Sequence, residues 1–261
     1  MESNWSENKP LADQPTLDDF LGGRLKMLQP RNGYRAGIDP VLLAASIPAH
    51  PGQSVLDLGC GTGVAGLCLA RRVGNLKISG IEIHQAAAEL ARRNASGNGL
   101  EMDIYTGRVE NPPPPLRKLQ FDHVMANPPY YAGNTRTPAA DAGREFSLAE
   151  ETPLRAWVAT AARRVRPKGS VTFIQRIERL PDLISAMSEN LGCLELMPLY
   201  PRKGRPPRLF LLRGQKDRRT PFRMHSGWVI HEGDAHVKDG DGYTWETAGI
   251  LRDGLPLKFP D

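Results

Sequence analysis

The chain has 261 residues, 40% of them hydrophobic and 24% charged, which suits one sizeable core with trimmings better than two full domains. Lys and Arg number 34 against 29 Asp and Glu, a formal charge of +5, so the balance tilts mildly toward a polyanionic partner. Three cysteines without paired spacing (Cys60, Cys68, Cys193) argue against a disulfide scaffold or zinc site, no apolar run approaches the ~18 residues of a membrane span, and residues 1–7 are unlike a signal peptide, so a reducing cytoplasm is expected.

Residues 1–16 are polar and are expected to form a disordered tail. Residues 17–50 form a cap segment, in which 17–28 mixes apolar residues with Gly22-Gly23 and fits a hairpin or a short helix. Asp39-Pro40 opens a helix, with Asp39 suited to cap it and Pro40 to its first position. From residue 54 strands alternate with helices: strand 54–58, helix 64–73, strand 76–82, helix 85–94, strand 102–105, a stiff proline loop at 112–115 and strand 121–126. Ser147-Leu148-Ala149-Glu150 has capping-box spacing and starts a helix through about residue 165, stopped by Pro167 and Gly169. A strand at 171–175, a helix at 180–191 and strands at 193–199 and 208–213 follow. The alternation implies an α/β fold with a mostly parallel sheet covered on both faces, and the last two strands an antiparallel edge hairpin. The core then spans 51–220, and 221–261 is an extension packed on it.

Asp57-Leu58-Gly59-Cys60-Gly61-Thr62-Gly63 follows a strand and opens a helix. Glycines there let the backbone approach a ligand, because no Cβ intervenes. Glu82 closes the next strand, where a carboxylate suits both ribose hydroxyls of a nucleoside. A dinucleotide site would show G-x-G-x-x-G and a pyrophosphate at the helix N-terminus. Here the spacing is G-x-G-x-G, and Asp57 stands two places before Gly59. An acid is unfavourable beside a pyrophosphate but not beside a cationic sulfonium, so the loop resembles motif I of S-adenosylmethionine-dependent methyltransferases. Cys60 reads as a small side chain in a tight loop.

Asn127-Pro128-Pro129-Tyr130 ends the fourth core strand, where a doubly wound sheet binds its ligands. The prolines hold the Pro128 carbonyl in one direction, the Asn127 side-chain oxygen is a second acceptor, and Tyr130 offers a face to a base. Two acceptors suit a planar NH2 group whose nitrogen lone pair is delocalised. Gripping its hydrogens out of plane favours a tetrahedral nitrogen with a usable lone pair. No metal and no strong base are needed, since positioning and preorganised dipoles supply the acceleration.

With Gly37-Ile38-Asp39-Pro40-Val41-Leu42-Leu43-Ala44-Ala45, Trp157 before Pro167-Lys168-Gly169, and Val229-Ile230-His231 ahead of Tyr243-Thr244, these motifs resemble the bacterial methyltransferases that modify adenine N6 beside the anticodon of valine tRNA. The resemblance covers roughly residues 17–254. It implies a Rossmann-like class I methyltransferase fold with a seven-stranded sheet, S-adenosyl-L-methionine as donor and S-adenosyl-L-homocysteine as product, no metal, tRNA as partner, and no membrane or obligate protein partner. It places the donor on Gly59, Gly61 and Gly63 with Glu82 on its ribose and Asp39, Asp57 and Asn127 close by. Asn127 and Pro128 would hold the target amine, with Pro129 and Tyr130 completing the catalytic segment. Relatives often carry an acid after the third strand, whereas Thr106-Gly107-Arg108-Val109-Glu110 has no Asp, so a backbone contact near Arg108 and Val109 is expected instead.

Between residues 202 and 219 stand Arg202, Lys203, Arg205, Arg208, Arg213, Lys216, Arg218 and Arg219 against Asp217. Arg202, Lys203, Arg205 and Arg208 on the hairpin tip are the candidate RNA contacts. The loop 131–146 is a candidate cover for the substrate. His225, His231 and His236 match no zinc spacing and read as surface histidines. Rival readings are a protein-glutamine N5-methyltransferase, which shares Asn-Pro-Pro-Tyr but usually has a longer N-terminal helical domain, and another RNA amino-group methyltransferase acting on rRNA adenine or guanine. A DNA adenine methyltransferase would need a target-recognition insertion, and a silent donor-binding subunit would not need an intact Asn127-Pro128-Pro129-Tyr130.

Overall fold

The computed structural model describes residues 14–130, 152–234 and 242–260. The chain opens on β1 (Thr16–Phe20) and β2 (Leu25–Gln29), an antiparallel pair in which Phe20 faces Leu25. Residues 17–28 are therefore a hairpin and not a helix. The deciding pattern is period two: Leu25, Met27 and Gln29 are buried while Lys26 is exposed. Its turn needs left-handed backbone at Gly22 (φ 63°) and Gly23 (φ 83°), which glycine adopts without strain.

After α1 (Asp39–Ser46) come β3 (Ser54–Leu58), α2 (Val64–Val73), β4 (Lys77–Glu82), α3 (Gln85–Gly97), β5 (Asp103–Thr106), the short α4 (Pro114–Arg117) and β6 (Phe121–Ala126). Then follow α5 (Leu154–Arg164), β7 (Val165–Arg176), a 3-10 turn (Ile177–Arg179), α6 (Leu180–Ser188), β8 (Gly192–Arg202) and β9 (Leu209–Gln215). The short β10 (Arg223–Met224), β11 (Trp228–His231) and α7 (Trp245–Asp253) close the order. The main sheet runs β10-β8-β9-β7-β6-β3-β4-β5, with β11 also on β8. Strands β5, β4, β3, β6 and β7 are mutually parallel and β9 is antiparallel to both β7 and β8. The seven strands read from the sequence are present, and β10 and β11 add two short parallel ones along the outer edge of β8.

The central strands are buried on both faces, and the apolar runs require this: every residue of β3 is buried. One face is covered by α1, α2, α7 and the β1–β2 hairpin, through Leu42, Leu43, Leu67, Leu69, Met27 and Ile250. The other is covered by α5 and α6, through Trp157, Val158, Ala161, Leu183 and Met187. Asn94 on α3 fastens the hairpin to the core: its Oδ1 accepts from Leu28 N (2.7 Å) and its Nδ2 donates to Leu28 O (3.0 Å) and Thr62 O (2.9 Å).

Two local expectations change, and the expected helix stop ahead of Pro167 holds. The proline loop contains a helical turn, because Pro114 and Pro115 occupy first-turn positions where no N–H is needed. Helix α5 starts at Leu154 after Pro153, while Ser147-Leu148-Ala149-Glu150 lies outside the described residues. That helix ends before Pro167, which sits with Gly169 in an irregular start of β7, where the register against β6 shifts between Phe121 and His123.

Candidate active site

Strands β3 and β6 are parallel neighbours, with Leu58 opposite Ala126, so the glycine loop and Asn127 leave the same edge of the sheet at the same level. The chain reverses sheet direction between them, which is where open α/β sheets place their ligands. Gly59, Gly61 and Gly63 all have positive φ (66°, 55° and 87°). A Cβ on Gly59 would lie 2.5 Å from the Trp157 ring, whereas nothing lies within 4 Å of one built on Gly61. Gly59 thus secures packing against α5, and Gly61 presents bare backbone to open space.

Two buried carboxylates brace this loop. Glu82 accepts from Gly61 N and from His84 N, both at 2.8 Å, one through each oxygen. A carboxylate has about four lone-pair sites, so each oxygen keeps one for a ligand. Asp57 accepts from Gly66 N at 3.1 Å, taking a free N–H of the first turn of α2. Burial pushes Asp57 up to about 7, against the smaller opposing effect of the Gly66 bond, and the Glu82 charge adds to the rise. A carboxyl raised on folding is stabilising below its unfolded value and loses that contribution as pH rises through its folded value. The donor-free protein should therefore lose on the order of 3 kcal/mol of stability between pH 5 and 8 through this group. Asp57→Asn, which keeps an acceptor for Gly66, should flatten that slope; urea unfolding showing equal slopes for both proteins would remove Asp57 from the account.

Beyond β6, the Asn127 Oδ1 is buried and has no hydrogen-bond partner among the described residues. Its Nδ2 donates to the Tyr34 hydroxyl at 3.5 Å. The Pro128 carbonyl accepts from Gln175 Nε2 (3.2 Å), and Gln175 Oε1 accepts from Arg176 N (2.8 Å). Pro129 is partly covered between Pro128 and Tyr130. The Tyr130 hydroxyl donates to the Asp39 carboxylate. Burial raises Asp39, against the opposing Tyr130 bond, and burial followed by the Asp39 charge raises Tyr130. Asp39 does not cap α1: Ile38 is the capping position and makes no side-chain bond there. The structure brings Asp39 to Tyr130 instead.

Tyr34 and Gln175 escaped the sequence reading. Gln175 carried a faint signal, a polar residue closing an apolar strand, and it is fully buried. Tyr34 carried none, lying in an irregular segment 93 residues before Asn127.

Because β8 runs parallel to β7, the β8–β9 tip lies on the same sheet edge as the site. At ~4.8 Å per strand that tip is roughly 12 Å from β6. Lys203, Arg205 and Arg208 are exposed there. Arg202 is turned to the tail, donating to the carbonyls of Glu232 and, at 3.3 Å, Gly233. Two bases of the same stretch are structural. Arg213 points into the core, donates to Ser46 O (2.7 Å), pairs with Glu195 (3.8 Å) and lies over the Phe259 ring. Lys216 caps α5 by donating to Ala162 O (2.8 Å) and Val165 O (3.2 Å). His225 packs edge-on against Phe259 and His231 stacks on Tyr243, while His236 and the loop 131–146 lie outside the described residues. No cluster of three potential metal ligands occurs among the described residues, and none of their helices is long and apolar enough to cross a membrane.

Known proteins resemble this chain in fold and in sequence. A solved structure described as a predicted O-methyltransferase from Agrobacterium tumefaciens has the same fold, with a TM-score of 0.68 at 22% identity over 85% of this chain and 100% of that one. A Porphyromonas gingivalis protein named tRNA1(Val) (adenine(37)-N6)-methyltransferase is 33% identical over 175 residues, 64% of this chain and 68% of the relative. A protein of the same name from Actinobacillus succinogenes is 27% identical over 245 residues, 92% of this chain and 98% of the relative. The model of the methyltransferase small domain matches residues 36–195, from just before α1 into β8 and so across the glycine loop and Asn127, and the chain belongs to that family.

Proposed function

We propose that the chain transfers a methyl group from S-adenosylmethionine to the exocyclic N6 amine of adenine in tRNA, beside the anticodon of a valine tRNA. The observation that carries this reading is the buried Asn127 Oδ1, unpartnered among the described residues, one residue from the oriented Pro128 carbonyl and beside the glycine loop. Two fixed acceptors on one edge fit an NH2 group and fit a hydroxyl or carbon acceptor less well. The names of the two tRNA-modifying relatives agree with it.

The residues also fit the donor. Gly61 leaves space where a side chain would intrude, and Glu82 keeps unused lone pairs beside it. Asp57, raised to about 7 by burial, ionises more readily once a cation is bound near it, which suits a sulfonium. S-adenosylmethionine supplies an electrophilic sulfonium methyl when bound. The chain's part is positional: Asn127 and Pro128 accept the two amine hydrogens, and Gln175 keeps the Pro128 carbonyl from turning away. An amine gripped in this way carries its lone pair out of the ring plane, so the protein needs no strong base before the transfer. The interaction strengthens as nitrogen becomes tetrahedral, which makes it catalytic and not merely binding. The N–C bond would form as the S–C bond breaks, the donor leaving as the neutral thioether S-adenosylhomocysteine, and the surplus proton would pass from the cationic nitrogen to solvent water.

Incubation of the full chain with methyl-labelled donor and, in parallel, total tRNA, ribosomal RNA or ribosomal and release-factor protein, with the labelled nucleoside or amino acid then identified, tests this reading. Label is expected in N6-methyladenosine of valine tRNA. Label in a protein glutamine or in ribosomal RNA would overturn it.

The exposed tip residues supply the electrostatic part of RNA binding. Replacing Lys203, Arg205 and Arg208 together by Ala should weaken tRNA binding and flatten its salt dependence, by about 0.7–0.9 log units per log salt for each phosphate no longer neutralised. Donor affinity should hold. An unchanged slope would make the tip a solvated turn.

A further inference from the structure

We infer that Tyr34 is a positioning residue, whose hydroxyl holds the Asn127 side-chain amide with its oxygen facing the target amine. This rests on the amine-methylation reading and names a part of the site that the Asn-Pro-Pro-Tyr motif does not contain.

An asparagine amide has two ends of nearly equal shape and opposite hydrogen-bonding character. Rotated by half a turn, Asn127 would aim two N–H donors at an amine that also donates. The site therefore works only if something distinguishes the ends. Among the described residues Oδ1 has no partner, while Nδ2 meets the Tyr34 hydroxyl at 3.5 Å. That distance is long for a hydrogen bond, as catalytic bonds often are before substrate tightens them.

A tyrosine hydroxyl both donates and accepts, so its own hydrogen must be directed elsewhere for it to accept from Nδ2. Asp39 supplies that direction. Its carboxylate already accepts from Tyr130 and its charge reaches Tyr34. Desolvation and then the Asp39 charge push the Tyr34 phenol up, to about 12, so it stays protonated through the working range, while the Asn127 bond acts in the opposite sense. With its hydrogen drawn toward Asp39, the phenol oxygen presents lone pairs to Nδ2.

The chain is built to keep Tyr34 there. Gln29, at the end of β2 and fully buried, accepts from Ala36 N (2.7 Å) and donates to Ala36 O (3.3 Å) and Asp18 (2.7 Å). Arg35 donates to Thr16 Oγ1 at 2.8 Å. The segment carrying Tyr34 is thus tied to the hairpin from both strands. Half of the Tyr34 surface (53%) stays in solvent although its hydroxyl reaches inward to Asn127.

The test is a double-mutant cycle on the full chain, read as single-turnover methylation of tRNA with donor affinity measured alongside. Wild-type activity first establishes the amine-methylation reading, and its absence would fail that reading without touching the cycle's logic. Given that activity, Tyr34→Phe is expected to slow methyl transfer about tenfold at saturating tRNA and donor. Its donor affinity should equal that of wild type. In an Asn127→Asp background the effect should disappear, because a carboxylate offers an acceptor whichever way it turns. A Tyr34→Phe enzyme at the wild-type rate would overturn the inference. So would an equal loss in both backgrounds, which would mean contact with substrate or a folding defect. Asn127→Asp with no measurable transfer would overturn it too, since an acceptor at that place would not suffice.

Discussion

Asn127→Ala should lower methyl transfer by about 10²–10³ while donor affinity changes little. The substitution deletes an acceptor that is buried and unpartnered among the described residues, so no existing hydrogen bond to Oδ1 is broken in the free protein. On the proposed amine-gripping role, what disappears is an interaction that grows toward the transition state, and such a loss falls on turnover more than on binding. Asn127→Asp keeps the shape and an acceptor oxygen and should retain more activity than Ala. Single-turnover transfer to tRNA, read as N6-methyladenosine after digestion, measures both. Wild-type turnover in Asn127→Ala would reduce Asn127 to a loop residue.

With the donor on the proposed site, Glu82→Ala should cost on the order of 1.5–3 kcal/mol in donor affinity, because the charged acceptor proposed for its hydroxyls is lost. The structure adds a second reason. Glu82 braces Gly61 N and His84 N at 2.8 Å, so its removal also frees the glycine loop. Part of the loss should then appear as an ordering cost for the loop on binding. Calorimetry on the folded variant decides the matter, and an unchanged affinity would sink the assignment.

Other parts of the sequence reading change for reasons that particular residues make plain. Arg213 looked like one more base in a basic stretch. On β9 its side chain lies under the end of α1 and the C-terminal segment, donating to Ser46 O and lying over Phe259, so it is buried with Glu195 opposite it in the register. Burial lowers its guanidinium to about 10, with Glu195 pulling the other way. Asp39 had the right residue type for a cap, yet the helix begins one position earlier and the carboxylate turns to Tyr130. Helix and cap signals are short-range and shift by a residue at little cost.

The sheet and the two motifs were legible because their causes are local. A strand that ends in glycines, turns with positive φ and enters a helix writes its geometry into seven consecutive residues, Asp57 to Gly63. The same holds for the apolar runs of β3 and β6 and for the rigid Asn127-Pro128-Pro129-Tyr130. The partners of those motifs were decided by the tertiary structure. Tyr34 meets Asn127 across 93 residues, Tyr130 meets Asp39 across 91, and Gln175 meets Pro128 across 47. Side chains that meet at such separations leave no period in the sequence, since their encounter depends on strand order and on how the N-terminal hairpin docks against α3. Local chemistry therefore announces which groups a site can use, and only long-range packing determines which way each of them faces.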